Sequence, residues 1–258
     1  MKGFPTWGRD VKVTFFYTEK DMYYMDSTYV LLFLGAIITL IASGYLHLTY
    51  NKYKFKHNAK GYTGAEVAEM ILRYENISGV GISQVAGNLS DHYDPKNKRV
   101  CLSKIVFDTA TIASAAIAAH ECGHALQHKE EYMPLKFRSA LVPYANIGSK
   151  IGIPIILLGW YFGLDFHMNN GGVFSVATLG IWIFSLAIIF QIVTLPVEMN
   201  ASSRALTILA RENILEGKEL SGARKMLIAA ALTYVAAAAS AVLQLMRLLL
   251  LNGKRSRR

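Results

Sequence analysis

Charged residues are scarce in this 258-residue chain. They make up 17% of the sequence, whereas hydrophobic residues make up 53%. A typical soluble domain carries about 25% charged residues, so this composition is too apolar for an ordinary soluble protein of this size. The apolar residues are also clustered in the sequence rather than evenly spread. We therefore expect part of the chain to lie in a membrane.

Cysteine is nearly absent, with only Cys101 and Cys122 in the chain. Two cysteines so far apart in sequence do not form the paired pattern of a structural zinc finger. Cys101 lies on a predicted strand and Cys122 on a predicted helix, and a disulfide between them would distort the segment around Cys122. We predict reduced thiols facing a cytosolic compartment.

A basic stripe with interleaved aromatic residues, as expected for a nucleic-acid-binding groove, is also missing. The formal net charge is +9, but the basic residues gather beside apolar segments, as at Lys52, Lys54, Lys56 and Lys60. This placement is typical of membrane topology signals and of attraction to anionic membrane lipids. Nucleic acid is therefore not an expected partner.

Four apolar segments are candidates for membrane spans. Residues 29–49 and 173–195 contain no Asp, Glu, Lys or Arg over 21 and 23 residues, so each can cross a hydrocarbon core of about 30 Å. Residues 147–164 form a shorter candidate, in which Lys150 must extend toward the interface. Residues 226–251 carry Arg247, so this segment either spans the membrane, packs inside the bundle or lies at the interface. The sequence predicts a mainly α-helical integral membrane protein with three to four transmembrane helices.

The distribution of Lys and Arg predicts the orientation of these spans. Residues 51–149 and 197–225 hold most of the basic side chains, whereas the connector 165–172 holds none. By the positive-inside rule, the two basic segments face the cytosol and the connector faces outside. The basic tail, residues 252–258, disagrees with this scheme if the fourth segment spans fully. Either that segment does not cross or the tail breaks the rule.

The N-terminal residues 1–28 are mixed in charge and lack the separate apolar region of a cleavable signal peptide. The stretch that begins at Met22 runs directly into the first span. We predict that residues 1–21 are dispensable, and loss of folding or activity in a chain beginning at Met22 would refute this. The alternative is an ordered extracytoplasmic arm.

The motif His-Glu-x-x-His occurs at His120 to His124, within a predicted helix of residues 108–129. Residues four apart lie on one face of a helix about 6 Å apart along the axis, so His120 and His124 can bind one zinc ion. Glu121 points about 100° away and can hold an attacking water. The alternative is a core helix whose histidines are satisfied by neighbours, which leaves several polar groups in need of partners. The pattern favours a zinc-dependent hydrolase.

The segment from residue 50 to residue 146 is predicted to be the cytosolic zinc-peptidase region. Thr63-Gly-Ala-Glu66 is a capping box that starts a helix of about three turns. Short extended runs at residues 82–85 and 99–103 predict a strand pair before the zinc helix. The free edge of such a strand either binds an extended substrate by backbone hydrogen bonds or binds no substrate at all.

A catalytic zinc needs a third protein ligand. His128 lies about 6 Å beyond His124 with no glycine between them to bend the chain back, so we interpret it as a supporting polar residue. Glu198 follows Pro196 at the end of the third apolar segment, where a new helix is predicted over residues 196–225. By spacing alone, Glu198 is either a ligand or a carboxylate that stabilises the first helical turn.

The chain resembles the YugP-type family of membrane zinc metallopeptidases. The resemblance rests on the run His120-Glu-Cys-Gly-His124-Ala-Leu-Gln-His128, on Pro134 to Gly148, and on Thr194-Leu-Pro-Val-Glu198-Met-Asn-Ala-Ser-Ser-Arg204. It implies a bacterial inner-membrane peptidase with a zincin-like core and with Glu198 as the third ligand of one zinc ion. The chain is more distantly similar to the HtpX and CAAX prenyl-protein peptidases, which have Glu-x-x-x-Asp where this chain has Ser202. Asn200, Ser202 and Arg204 are therefore the candidates for orienting the zinc histidines.

Together these observations predict a membrane-embedded zinc endopeptidase of the gluzincin type. Its expected substrates are peptides or membrane-protein segments near the cytosolic membrane surface, with Glu121 as the catalytic base. Two alternatives stay open, a non-catalytic membrane scaffold that keeps a structural metal and a hydrolase of lipid-linked substrates. The sequence does not indicate an oligomeric state.

Overall fold

The computed structural model describes residues 27–167 and 173–255 of the chain. Its helices and strands follow in this order: α1 (Tyr29–Tyr53), α2 (Gly64–Tyr74), β1 (Gly81–Val85), β2 (His92–Asp94), β3 (Arg99–Ser103), α3 (Lys104–Asp108), α4 (Ile112–Lys129), α5 (Met133–Phe162), β4 (Asp165–His167), β5 (Val173–Ser175), α6 (Val176–Arg211) and α7 (Gly217–Arg255). The prediction that residues 1–21 are dispensable falls outside the described residues. The rest is mainly helical, which confirms the predicted fold class.

Four of the helices, α1, α5, α6 and α7, are long and apolar enough to cross a membrane. They contain most of the four predicted apolar segments, and α5 and α6 extend well beyond them. α5 begins at Met133, fourteen residues before the predicted segment at residue 147. The predicted limits mark where the apolar residues begin and end. The helical backbone hydrogen bonds continue past these limits, so the helices are longer than the apolar segments. α5, α6, α7 and α1 pack side by side, with α6 against both α5 and α7 and with α1 against α7.

Small residues allow α5 and α6 to approach closely. A Cβ atom added at Gly148 would lie 2.6 Å from the carbonyl oxygen of Ile183, and one at Gly152 would lie 2.8 Å from the Phe184 side chain. Glycines four apart on one helix face are a common solution for close helix packing in membranes. This packing fixes α5 against α6, and both helices contribute to the site described below.

A small sheet precedes the central helix. Both predicted strands are present as β1 and β3, which pair in parallel, with Ser83 opposite Cys101. A third strand that the sequence analysis missed, β2, pairs antiparallel with the other edge of β3, so the strand order is β1-β3-β2. The predicted capping box is present, since Thr63 Oγ1 accepts from the Glu66 amide and the Glu66 carboxylate accepts from the Thr63 amide. It fixes the start of α2, which packs against α4.

The central helix α4 is shorter than the predicted helix of residues 108–129. It starts at Ile112, where the Thr111 hydroxyl caps it by accepting from the Ser114 amide, and residues 104–108 form the separate short helix α3. α4 is buried along most of its length, and its many alanines let neighbouring helices approach on all sides. It contacts α2, the sheet, α6 and α7. The zinc motif therefore lies in the core of the molecule.

The prediction of a new helix starting at Pro196 was wrong. α6 runs without interruption from Val176 to Arg211, with Pro196 inside it. A proline removes one helical hydrogen bond, but long apolar helices tolerate this where neighbouring helices support them. Glu198 is consequently part of the same rigid helix as the third apolar segment.

Candidate metal centre

His120, Glu121 and His124 lie on α4 at the point where this helix crosses α6. Gly123 makes the crossing possible, because a Cβ atom at this position would lie 2.7 Å from the carbonyl oxygen of Ala201 on α6. The close approach of the two backbones places Glu198 of α6 opposite the two histidines. The contact therefore brings Glu198 to two histidines that precede it by 74 and 78 positions in the sequence.

Three side chains converge at this crossing. The Glu198 Oε2 atom lies 3.2 Å from His120 Nε2 and 3.5 Å from His124 Nε2. One candidate ligand atom from each of the three residues falls within 4.8 Å of the other two. All three side chains are largely buried, with the carboxylate of Glu198 only 3% exposed.

These separations fit a zinc ion. Zinc binds imidazole nitrogen and carboxylate oxygen at about 2.0–2.2 Å in tetrahedral geometry, which places neighbouring ligand atoms about 3.4 Å apart. Two histidines and one glutamate are also the ligand set of several catalytic zinc sites, in which the fourth position is left for water. The donor set and its two distances to Glu198 are therefore those expected of a catalytic zinc site.

The second nitrogen of each imidazole ring is held by a neutral polar side chain. His124 Nδ1 lies 3.0 Å from Gln127 Oε1, and His120 Nδ1 lies 3.1 Å from Ser202 Oγ. The Gln127 amide is oriented unambiguously, because its Nε2 donates to Val197 O and to Asn200 Oδ1. Its oxygen therefore accepts the Nδ1 proton of His124 and leaves Nε2 of that ring facing Glu198.

The three residues that the sequence offered for orienting the zinc histidines, Asn200, Ser202 and Arg204, lie at different distances from the histidines. Ser202 contacts His120 directly. Asn200 is one contact further away, since it accepts from Gln127, and it also accepts from Arg204 Nε at 2.7 Å. Arg204 forms an ion pair with Glu130. It does not line the cavity that opens next to the two histidines.

Electrostatics favour a cation at the crossing. Burial opposes protonation of His124, but the hydrogen bond with Glu198, together with the charges of Glu121 and Glu198, raises the pKa of its imidazole. Burial, with a smaller effect of the Glu121 charge, raises the pKa of the Cys122 thiol. Cys122 and Cys101 are both free and buried, and Cys122 stays a neutral thiol directed at the Ala68 carbonyl oxygen.

A cavity of about 590 Å³ opens beside the three residues. Glu121 lines it, as do the edge strand β2 and the first turns of α5. Gln127, Arg138 and Tyr234 also line the cavity and were not predicted as site residues from the sequence. Gln127 could have been found, because it lies three residues from His124 on the same helix. Arg138 and Tyr234 come from α5 and α7, and nothing local in the sequence connects them to the motif.

Three further histidines do not belong to the group of converging residues. His128 lines the same cavity, and its Nδ1 lies 2.8 Å from the Tyr93 hydroxyl on β2. His92 is on the cavity rim, where its ring contacts the Ser90 carbonyl oxygen. His57 contacts the Ala110 carbonyl oxygen, next to the bridge between His57 and Thr111.

Comparisons with known proteins agree with this geometry. A family model described as "Putative neutral zinc metallopeptidase" matches residues 28–253. The chain is 41% identical over 207 residues to the "Putative membrane protease YugP" of Bacillus subtilis (strain 168), an alignment that covers 80% of this chain and 88% of that protein. No solved structure matches the chain.

Proposed function

We propose that this chain, which belongs to the neutral zinc metallopeptidase family, is a membrane-embedded zinc endopeptidase. The family model matches residues 28–253. The observation that carries the proposal is the convergence of His120, His124 and Glu198 beside Glu121 and an open cavity. The membrane location is supported by the four long apolar helices and by the similarity to the Bacillus subtilis protein named as a putative membrane protease.

One zinc ion per chain would be held by His120 Nε2, His124 Nε2 and Glu198 Oε2. This is the gluzincin arrangement, in which a His-Glu-x-x-His helix supplies two ligands and a glutamate from a later helix supplies the third. Bound zinc supplies a Lewis acid, which lowers the pKa of water toward 7 and polarises a carbonyl group. Gln127 and Ser202 support the ligands by fixing the ring orientation of His124 and His120.

Glu121 is proposed as the catalytic base. Its side chain lines the cavity next to the two histidines, so its carboxylate can take a proton from the attacking water. It then gives this proton to the amine that leaves when the peptide bond breaks. Removal of a general base typically lowers turnover by about 10²–10⁴-fold.

The edge strand β2 is proposed to bind the substrate backbone. β2 pairs with β3 along one edge only, and the residues from Asp91 to Tyr93 line the cavity. An extended peptide added to the free edge would have its backbone held by hydrogen bonds and directed toward Glu121. An extended binding site of this kind favours a peptide over a lipid-linked substrate.

The substrates are proposed to be membrane-associated peptides or membrane-protein segments. The site lies where α5 begins and where α6 leaves its most apolar part, so it is close to one surface of the predicted membrane. The Lys and Arg residues in the segments on this side predict that the surface is the cytosolic one, and a bacterial plasma membrane is the proposed location.

The experiment is cleavage of an internally quenched casein by purified protein, for the wild type and for Glu121→Gln. We expect the wild type to cleave and to lose activity on chelation, and the variant to keep its zinc while cleaving at least 100-fold more slowly. Glu69→Gln, at an exposed position on α2, is the matched control and should cleave normally. Full cleavage by Glu121→Gln would refute the proposal.

A further inference from the structure

Two hydrogen-bond donors enter the cavity from helices other than the zinc helix. Arg138 comes from the first turns of α5 and Tyr234 from α7, and both line the cavity together with His120 and Glu121. The Tyr234 hydroxyl lies near the Glu198 carboxylate, and Arg138 Nη2 lies 3.7 Å from Glu198 Oε1. Both donors are therefore next to the three converging side chains.

Arg138 has donors left over for a ligand. Its 3.7 Å contact with Glu198 is longer than a hydrogen bond, and its Nε atom is buried without a hydrogen-bond partner among the described residues. A guanidinium carries five N–H donors, and a buried donor without an acceptor is costly. An oxygen atom bound in the cavity would satisfy it.

Three further donors on the cavity wall are already engaged by protein groups: Tyr93 with His128, Lys136 with Glu131, and Gln127 with Val197 and Asn200. Arg204, which the sequence offered as a residue that orients the zinc histidines, is engaged by Glu130 and Asn200 outside the cavity. Arg138 and Tyr234 lie next to Glu198, so they are well placed to donate to an oxygen atom that develops negative charge beside the three converging side chains.

We propose, on the basis of the peptidase function proposed above, that Tyr234 and Arg138 are catalytic residues that together bind the oxyanion. As the water oxygen bonds to the scissile carbonyl carbon, the carbonyl π electrons move to the carbonyl oxygen and Glu121 takes the water proton. The Tyr234 hydroxyl and the Arg138 guanidinium donate to the new oxyanion. When its electrons return, the C–N bond breaks, the amine leaves with the proton from Glu121, and a carboxylic acid is left.

Tyr234→Phe tests the hydroxyl donor with the least disturbance of packing. We expect kcat for quenched casein to fall by about 100-fold, as when other single oxyanion donors are removed, while KM changes by less than about threefold. The zinc content should stay at the wild-type value, because the phenylalanine leaves all three zinc-site side chains in place. The control is Tyr144→Phe, at an exposed position of α5, which should match the wild type.

Arg138→Met and Arg138→Lys test the guanidinium. We expect Arg138→Met to lower kcat by about 100-fold, and Arg138→Lys to recover part of the rate because it keeps the charge. Arg224→Met, which removes an exposed cation of α7 outside this cavity, should behave as the wild type. Binding of the tetrahedral phosphoryl compound N-phosphoryl-Leu-Trp, measured by calorimetry, should weaken by about the same factor as kcat/KM in Tyr234→Phe and Arg138→Met.

Different results refute different statements. Normal kcat in Tyr234→Phe and Arg138→Met would refute the oxyanion role alone, provided that the wild type cleaves and Glu121→Gln does not. Loss of zinc in these variants would also refute it, since the residues would then serve to position Glu198. A wild type without zinc-dependent cleavage would refute the proposed function and the oxyanion role together.

Discussion

At the scale of single residues, the supports of the two histidines determine how well the site is preorganised. Gln127 is fully buried and uses both ends of its amide, one for His124 and the other for Val197 and Asn200. Ser202 supports His120 with one hydroxyl contact. The support of His124 is therefore the more rigid of the two, because it also ties α4 to α6.

Gln127→Leu should weaken zinc binding by about 10–100-fold, the usual effect of losing a group that orients a metal-binding histidine. It should also destabilise the protein, because the Val197 carbonyl oxygen and the Asn200 side chain lose a buried donor. The measurement is zinc affinity by competition with a chromogenic chelator. Gln84→Met, at an exposed position on β1, is the control and should bind zinc normally. Unchanged affinity in Gln127→Leu would contradict the support role.

The sequence predicted these residues to different degrees. His120, Glu121 and His124 were predictable because helix geometry alone places residues 120 and 124 on one face. Glu198 was not decided by spacing and was assigned through the family resemblance, since its approach depends on a helix crossing. Tyr234 and Arg138 were missed, because their positions result from how α5 and α7 pack around α6.

At the scale of elements, the crossing of α4 and α6 at Gly123 holds the site together. The added Cβ atom would meet a backbone oxygen, which cannot rotate away as a side chain does. Alanine is a better helix former than glycine by about 1 kcal/mol, so the local preference of the helix acts in the opposite direction. For Gly123, the clash with α6 outweighs the helix preference of alanine, because moving two packed helices apart disturbs many neighbouring side chains.

Gly123→Ala should therefore lower both the melting temperature and the affinity for zinc, with a loss of about 1–3 kcal/mol in stability from overpacking. Gly44→Ala in α1 is the matched control, because a Cβ atom there meets nothing within 4 Å. That variant should be neutral or slightly stabilised. Thermal unfolding in detergent, with and without added zinc, measures both. A Gly123→Ala protein as stable as Gly44→Ala would contradict the crossing geometry.

The elements also show why sequence patterns mark some boundaries better than others. The start of α2 was predictable, because a capping box is a local signal with a defined geometry. The continuity of α6 through Pro196 was not, because proline ends most helices in water and the neighbouring helices that support it are not visible in the local sequence. β2 was missed because three residues are too few to show an alternating pattern.

At the scale of the whole molecule, the candidate metal centre lies near one end of the four long helices. α6 runs toward the candidate site and α7 runs away from it. If all four helices span the membrane, the C-terminal end of α7 and the β4–β5 pair therefore lie on the opposite side from the site. The proposed cytosolic site then requires an external basic tail. The proposal thus corresponds to the second alternative from the sequence, in which the fourth segment spans the membrane and the tail breaks the positive-inside rule.

Labelling of single introduced cysteines tests this orientation. In intact cells, a membrane-impermeant maleimide should react with Gly253→Cys but should reach Asn88→Cys only after permeabilisation. The native Cys101 and Cys122 are buried and give a low background. The wild-type chain is the control. Labelling of Asn88→Cys in intact cells would place the site on the outer surface.

The most direct test of the central claim is the zinc content of the purified protein, measured by mass spectrometry for the wild type and for Glu198→Gln. Glu216→Gln, at an exposed position between α6 and α7, is the matched control. If His120, His124 and Glu198 form one zinc site, the wild type and the control will each hold about one zinc ion per chain, and Glu198→Gln will lose its zinc at least tenfold more readily to a chelator. A wild type that holds no stoichiometric zinc, or a Glu198→Gln protein that keeps it equally well, would contradict the account.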